Sequence, residues 1–248
     1  MIEKKIRSIL LQLLGAESYL GLVSQTYIRL ISNGFLKSKY PELFFLKELI
    51  KPGFVCIDIG ANVGYYSVFL SKYAGSSGHV YSVEPVPLFA RVFMKNAGTF
   101  AQKNITLYQL ALGAEEKEIT LETPVMDGVF RHGLTKVVEG QSQSDGISYP
   151  AKMVVADKLF ADLKKLDFLK CDVEGYEVHL FPQMKETILR FKPTIQIEIS
   201  EAENKKKMLE LLGSWSYSPY RLKEGNLQAL KIQEALSYDE GDYYFIPN

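Results

Sequence analysis

The chain has 248 residues, which suits one α/β domain with a sizeable hydrophobic core. Hydrophobic residues make up 47% of the chain, and its 29 basic residues are balanced by 29 acidic ones. Because no basic tract stands out, the composition argues against a nucleic-acid backbone as the main partner.

The first fifty residues predict three helices. Aliphatic residues recur at helical spacing over residues 1–14, with charged residues opposite them, and further helices are predicted over residues 18–31 and 42–50. We interpret residues 1–50 as a helical extension that packs on a domain formed by residues 51–248. The aliphatic stripe needs a partner, which is the domain, a second subunit or, as a peripheral contact, a membrane surface. No apolar run approaches the roughly eighteen residues that cross a bilayer.

The next stretch predicts a strand, a glycine turn and a helix. Residues 54–59 form an apolar run broken by Asp58, which is typical of a buried parallel strand. A turn of small residues follows from Gly60 to Gly64, and residues 65–73 have helical spacing. This unit opens nucleotide-binding α/β domains. Glycine and asparagine tolerate positive φ there, and the helix start offers free N–H groups to a ligand.

Two acidic residues indicate which ligand the turn binds. The dinucleotide fingerprint needs a central glycine, but Asn62 stands there, and Asp58 would repel a pyrophosphate while holding an ammonium group. Glu84 ends the next strand, where an acid can accept hydrogen bonds from both ribose hydroxyls. S-Adenosylmethionine has an amino group, a carboxylate, a ribose and no phosphate. The pattern therefore predicts this cofactor, and a turn used only for packing is the alternative.

Strands and helices alternate over most of the remaining chain, which predicts a doubly wound parallel sheet with helices on both faces. The predicted strands after the first are residues 79–83, 105–110, 166–171 and 194–199, and the predicted helices are residues 88–100, 157–163, 185–191 and 205–212. Residues 215–222, 227–231 and 243–246 are predicted to be edge strands.

Cys56 and Cys171 fall in buried strands rather than in spaced pairs, so we expect reduced thiols and a cytoplasmic location.

One long polar stretch interrupts the alternation. Residues 118–122 and 153–155 read as strands, and between them lie glycines, serines and His132. We interpret residues 123–150 as an irregular insertion that is edged by antiparallel strands and lies over the site. A surface excursion without structure is the alternative.

Three blocks of sequence resemble the FkbM family of S-adenosylmethionine-dependent methyltransferases. They are residues 57–67 continued by Val83-Glu84-Pro85, residues 167–177, and Ala111-Leu112-Gly113. The resemblance implies a class I methyltransferase (Rossmann-like) fold, with a seven-stranded sheet in the order 3-2-1-4-5-7-6 and one antiparallel strand. It also implies O-methylation of a hydroxyl on a sugar, glycolipid, polyketide or similar small molecule. The residues that we expect to contact the cofactor are Asp58, Gly60, Ala61, Asn62, Gly64, Tyr66, Ser67, Glu84, Pro85, Ala111, Leu112 and Asp172.

Asp172 and Glu174 are the candidate catalytic residues. A sugar hydroxyl is a weak acid, so a base is expected near it, and two close carboxylates tend to separate their pKa values. If the chain stays extended past Cys171, both carboxylates face the cleft. The alternative is that both acids cap the following helix. His132 and Glu198 are weaker candidates for contact with the acceptor, and the sequence offers no distinct set of metal ligands.

Two other functions remain open at this point. The glycine turn alone would allow a nicotinamide-dependent oxidoreductase, against which stand Asn62 and Asp58. The chain could also be a non-catalytic module that binds S-adenosylmethionine and uses its N-terminal helices for assembly.

Overall fold

The computed structural model describes residues 2–126, 129–130, 135–138, 146–199, 201–239 and 241–248. Its helices are α1 (Ile2–Ser32), α2 (Pro41–Leu49), α3 (Tyr65–Ala74), α4 (Pro87–Phe100), α5 (Ala156–Leu159), α6 (Glu177–Leu180), α7 (Lys185–Phe191), α8 (Ala202–Ser214) and α9 (Ile232–Ser237). Its strands are β1 (Val55–Ile59), β2 (His79–Val83), β3 (Ile105–Tyr108), β4 (Ala111–Gly113), β5 (Lys117–Thr123), β6 (Val125–Met126), β7 (Val129–Phe130), β8 (Lys136–Val138), β9 (Ile147–Val155), β10 (Phe168–Cys171), β11 (Thr194–Ile197), β12 (Tyr217–Lys223), β13 (Asn226–Ala229) and β14 (Tyr243–Pro247).

The main sheet has eight strands in the order β13-β12-β14-β11-β10-β1-β2-β3. The central strands are parallel, and β14 runs antiparallel to its neighbours β11 and β12. The predicted doubly wound sheet with one inserted antiparallel strand is thereby confirmed, and β13 is an additional strand at one edge. Alternation along β1 places Ile57 and Ile59 in one apolar cluster and Cys56 in another, so the core fills both faces of the sheet.

The C-terminal segment was expected at an edge of the sheet, and this prediction is wrong for two of its three strands. Both β14 and β12 are interior, and only β13 lies at the edge. The aromatic side chains of β14, Tyr243, Tyr244 and Phe245, are at most 1% exposed. An aromatic run of this kind therefore marks a strand that is covered on both faces.

The insertion is larger than predicted, because the chain from β4 to β9 contributes a second sheet of four strands in the order β4-β9-β5-β8. β5 and β9 pair antiparallel from Lys117↔Met153 to Thr123↔Ile147, so antiparallel strands edge the insertion as predicted. The prediction is wrong on where the second strand begins, because β9 begins at Ile147 and includes residues 147–150, which were assigned to the irregular stretch. The tip of this long hairpin also carries the short pair β6 and β7. His132 lies outside the described residues.

The N-terminal helix α1 is interrupted at Gly15, where φ is 73° and ψ is 162°. Beyond this kink the helix packs on the domain, and its side chains of Leu20, Ile28 and Ile31 are at most 5% exposed. Ahead of it, Leu13 is 76% exposed. The division into an extension of residues 1–50 and a domain of residues 51–248 stays a prediction. Within the described part of the chain, no helix combines the length and the apolar character needed to cross a membrane.

Candidate active site

The glycine turn after β1 brings the ends of three strands together. Gly60 and Asn62 have φ values of 77° and 50°, the left-handed region that favours glycine and asparagine. A Cβ atom on Gly60 would lie 1.8 Å from the backbone oxygen of Asp172, at the end of β10. The backbone N–H groups of Gly60 and Ala61 both donate to the carbonyl oxygen of Val83, at the end of β2. Only a residue without a side chain allows this approach of β1 to β10.

Glu84 is fixed beside the turn by two backbone donors. The N–H of Asn62 donates to its Oε2 atom at 2.8 Å, and the N–H of Val86 donates to its Oε1 atom at 2.8 Å. Burial raises the pKa of Glu84 to about 7, and these two hydrogen bonds oppose that shift. Each carboxylate oxygen has a further lone pair, so Glu84 can still accept hydrogen bonds from two neighbouring hydroxyl groups.

A cleft opens at this end of the sheet. One part of its wall is apolar, and that part consists of Val86, Phe89, Ala111, Leu112, Leu121 and Val137. Eight of the residues predicted from the sequence line the cleft, namely Gly60, Asn62, Glu84, Pro85, Ala111, Leu112, Asp172 and Glu174. Their assigned roles stay predictions, but the structure brings their positions together.

Asp172 and Glu174 reach the cleft through a turn rather than an extended segment. β10 ends at Cys171, and Glu174 has a φ of 54°, so the chain does not stay extended past Cys171, although both acids line the cleft. Neither acid caps the short helix α6, because its N-cap is Tyr176 and no side chain bonds there. Instead, the buried Glu177 holds the turn, since its Oε1 atom accepts from the N–H groups of Val173 at 3.0 Å and Gly175 at 3.3 Å.

The acids at the mouth of the cleft influence one another. Burial raises the pKa of Glu174 to about 7, and the charges of Asp172 and Glu198 add to the shift. Glu198 is exposed directly after β11, and partial desolvation and the charges of Asp172 and Asp242 raise its pKa to about 7. Glu174 therefore changes its charge near neutral pH, which is a property required of a general base.

Several predicted site residues lie outside the lining of the cleft. They are Asp58, Ala61, Gly64, Tyr66, Ser67 and Glu198. Asp58 is fully buried beneath the turn and accepts a hydrogen bond from the Ser67 hydroxyl at 2.5 Å, which explains why neither side chain faces the open space. Gly64 packs against the Phe93 ring, where a Cβ atom would approach to 2.9 Å.

Other residues enter the site without having been singled out from the sequence. Leu121, Thr135 and Val137 come from the insertion, and Tyr176 comes from the turn after β10. Residues on separate hairpin strands give no local sign of a shared cavity. Tyr176 does stand beside the predicted acids, and an aromatic residue next to an acid-rich turn was the available signal. Among the described residues, no group of three or more histidine, cysteine, aspartate or glutamate side chains is arranged to hold a metal ion.

The strand order, the inserted antiparallel strand and the cleft at the carboxyl ends of β1, β2 and β10 define the class I methyltransferase fold. The methyltransferase FkbM domain model matches residues 58–219, and the chain belongs to this family of methyltransferases. No curated protein matches the chain.

Solved structures of methyltransferases resemble the chain at low identity. FkbM methyltransferase from Methylobacillus flagellatus is 15% identical with a TM-score of 0.48, and the match covers 80% of this chain and 48% of that one. The chain thus spans about half the length of that protein. A SAM-dependent O-methyltransferase from Thermotoga maritima is 14% identical with a TM-score of 0.47, over 89% and 70% of the two chains. An rRNA methylase from Streptococcus thermophilus is 11% identical with a TM-score of 0.45, over 82% and 91%. No acceptor is inferred from these likenesses.

Proposed function

We propose that the protein is an S-adenosylmethionine-dependent O-methyltransferase that acts on a hydroxyl group of a sugar, a glycolipid or a similar small molecule. The observation that carries the proposal is one cleft lined by Glu84 on one side and by Asp172 and Glu174 on the other. The unpaired, buried thiols of Cys56 and Cys171 support the expected cytoplasmic location.

The described residues fit the proposed cofactor. Glu84 has lone pairs for two ribose hydroxyls, and the apolar wall near it, which includes Val86, Phe89 and Leu112, suits a flat adenine ring. The backbone of Gly60 and Asn62 lines the cleft beside Glu84. Asp58 does not face the cleft, and its buried Oδ1 atom has no hydrogen-bond partner among the described residues, so it would act on a bound ammonium group only through its charge. When bound, S-adenosylmethionine supplies an electrophilic methyl group on a sulfonium.

The chain must align the acceptor oxygen behind this methyl group and remove the hydroxyl proton. We assign proton removal to Glu174, whose pKa of about 7 allows it to accept a proton at neutral pH. Asp172 lies closer to the strand end and is assigned to orientation of the cofactor or the acceptor. The insertion residues Leu121 and Val137 limit the access of water, which supports alignment.

The charge at the mouth favours a neutral acceptor. Asp172 and Glu174 line the cleft, and the charge of Glu198 acts on Glu174, so a phosphate-rich chain approaching these carboxylates would be repelled. A polyhydroxylated molecule can instead donate hydrogen bonds to these oxygens. This is the physical reason for proposing a glycan or small-molecule acceptor rather than a nucleic acid.

A two-stage experiment tests the proposal. Calorimetric titration with S-adenosylhomocysteine, S-adenosylmethionine and NAD is expected to show binding of the first two only, and NAD binding alone would make the protein an oxidoreductase. A screen of sugars and sugar lipids then follows the release of S-adenosylhomocysteine. The screen is repeated with RNA as the acceptor. Cofactor binding without turnover on sugars, sugar lipids or RNA would favour a non-catalytic module. Turnover on RNA alone would contradict the proposed acceptor.

A further inference from the structure

A row of polar residues crosses the main sheet beneath the active site. Ser82, Asp58, Lys170, Gln196 and Tyr244 lie on five adjacent strands, and each is the register partner of the next. Such partners project from the same face of a sheet. All five are at most 3% exposed, so the sequence has placed a line of polar groups where a hydrophobic core is the rule. The methyltransferase chemistry described above uses only Asp58 from this row.

Lys170 is the charged centre of the row. Its Nζ atom donates to Oδ2 of Asp172 at 2.9 Å and lies 4.7 Å from the centre of the Tyr66 ring. Burial by itself lowers the pKa of Lys170, but the charges of Asp172, Asp58 and Asp242 outweigh burial and raise it above its ordinary value. Lys170 therefore stays protonated, and its ammonium group faces carboxylates on two sides.

The neighbours of Lys170 are themselves fixed. The Gln196 side chain donates to the Tyr66 hydroxyl at 3.0 Å and to Oδ2 of Asp242 at 2.7 Å. This amide therefore holds the ring over which Lys170 lies. A long, flexible lysine side chain in such a frame has little freedom, so the position of the Asp172 carboxylate that it contacts is restricted as well.

Asp58 depends on the same positive charge. Burial raises the pKa of Asp58, and the charge of Lys170 and the hydrogen bond from Ser67 lower it. The net effect still raises the pKa of Asp58, and Lys170 reduces that shift because its positive charge stabilises the ionised carboxylate.

We infer that Lys170 is a positioning residue for the amino-acid end of the cofactor: it fixes the Asp172 carboxylate at the cleft and balances the buried charge of Asp58. The inference rests on the proposed function. The order of the strands supports the orientation, because Glu84 and the apolar wall lie toward β2 and β4, whereas Asp172 ends β10 on the other side of β1. A cofactor whose ribose contacts Glu84 then directs its amino-acid end toward Asp172.

The test compares two ligands that differ at this end. S-Adenosylhomocysteine carries the amino acid, and 5′-methylthioadenosine has the same adenosine and thioether without it. In Lys170→Met, affinity for S-adenosylhomocysteine is expected to fall about 10- to 100-fold, the range for a lost charge-assisted contact, and affinity for 5′-methylthioadenosine is expected to stay within about threefold. Lys165→Met is the matched control, because Lys165 pairs with Asp167 at 3.1 Å but is 51% exposed and remote from the cleft lining. It is expected to leave both affinities unchanged.

The outcomes separate the inference from the function on which it rests. Wild-type protein that binds neither ligand contradicts the proposed function. Wild-type protein that binds both, with a folded Lys170→Met variant that loses affinity for both equally, shows a structural role only and overturns the inference. A folded Lys170→Met variant that keeps both affinities also overturns the inference. If Lys170→Met does not fold, Lys170→Gln retains a hydrogen-bond donor for Asp172 without the charge, and the same selective loss is expected.

Discussion

Glu174 combines an unusual backbone conformation with a raised pKa. Its φ of 54° costs a non-glycine residue on the order of 1–3 kcal/mol, and such costs cluster at functional sites. Glu174→Gln keeps the shape and removes the charge, so cofactor affinity is expected to persist while turnover falls about 10²–10⁴-fold. Single-turnover methyl transfer and a titration with S-adenosylhomocysteine measure the two effects. Near-normal turnover would show that another group accepts the proton. Glu203→Gln, at an exposed position, is the control.

The same residue predicts a pH dependence with a definite sign. Glu174 accepts a proton only when ionised, so the single-turnover rate is expected to rise with pH through about 7. The charge of Glu198 contributes to the raised pKa of Glu174, and Glu198→Gln removes that charge. The midpoint of the rate profile should therefore move to lower pH in this variant. A profile that is flat between about pH 6 and 8, or a midpoint that moves upward, would contradict Glu174 as the base.

What could be predicted for single residues depends on local pattern. Glu84, Asp172 and Glu174 follow strand ends. The carboxyl ends of parallel strands lie along one edge of the sheet, so the position of these three residues at that edge could be predicted. Asp58 lies one residue inside the strand end, and strand alternation turns it toward α3 and Ser67 instead of the cleft. The part played by Lys170 was not predictable, because it depends on the register of four strands that are distant in sequence.

At the scale of elements, the turn after β1 is the most constrained. Gly60→Ala would force a side chain into φ 77° and place its Cβ 1.8 Å from the carbonyl oxygen of Asp172. The left-handed conformation alone costs about 1–2 kcal/mol, and moving the end of β10 adds to it. Gly98→Ala, in α4 with nothing within 4 Å, is the matched control and should raise the free energy of unfolding by roughly 0.5–1 kcal/mol. Urea denaturation checks both, and equal stability of the two variants would contradict the close approach.

Most elements were predictable from periodicity, and the exceptions share a cause. The glycine turn, the parallel strands and the hairpin edges β5 and β9 follow from local patterns of two and 3.6 residues. The interior place of β14 does not, because pairing with β11 and β12 is decided by contacts across the whole sheet. The place of Leu121 and Val137 in the wall of the cleft could not be predicted either, because it depends on how the two sheets pack.

At the scale of the whole molecule, α1 divides at Gly15, and we expect deletions on either side of this kink to affect stability differently. Deletion of residues 1–36 removes Leu20, Ile28 and Ile31, each buried and each contributing about 1.5–3 kcal/mol, and it also removes the Ser24–Asn96 hydrogen bond. Deletion of residues 1–15 is expected to leave the free energy of unfolding within about 1 kcal/mol, since Leu13 is 76% exposed.

Urea denaturation of both truncated proteins, at several protein concentrations, measures the difference. Light scattering and vesicle sedimentation of the shorter deletion then report whether residues 1–15 serve association or membrane contact. A loss of stability from the shorter deletion equal to that from the longer one would show that the segment ahead of Gly15 belongs to the core.

The hairpin of the second sheet has a consequence for how such a protein changes over evolutionary time. The insertion departs along β4 and returns along β9, and these strands are direct neighbours from Ala111↔Met153 to Gly113↔Val155. A segment whose first and last strands are paired can be lengthened, shortened or exchanged without separating those strands. The entropic cost of closing a loop also grows only slowly with its length. The length of the insertion can therefore change while the acids that line the cleft remain in place.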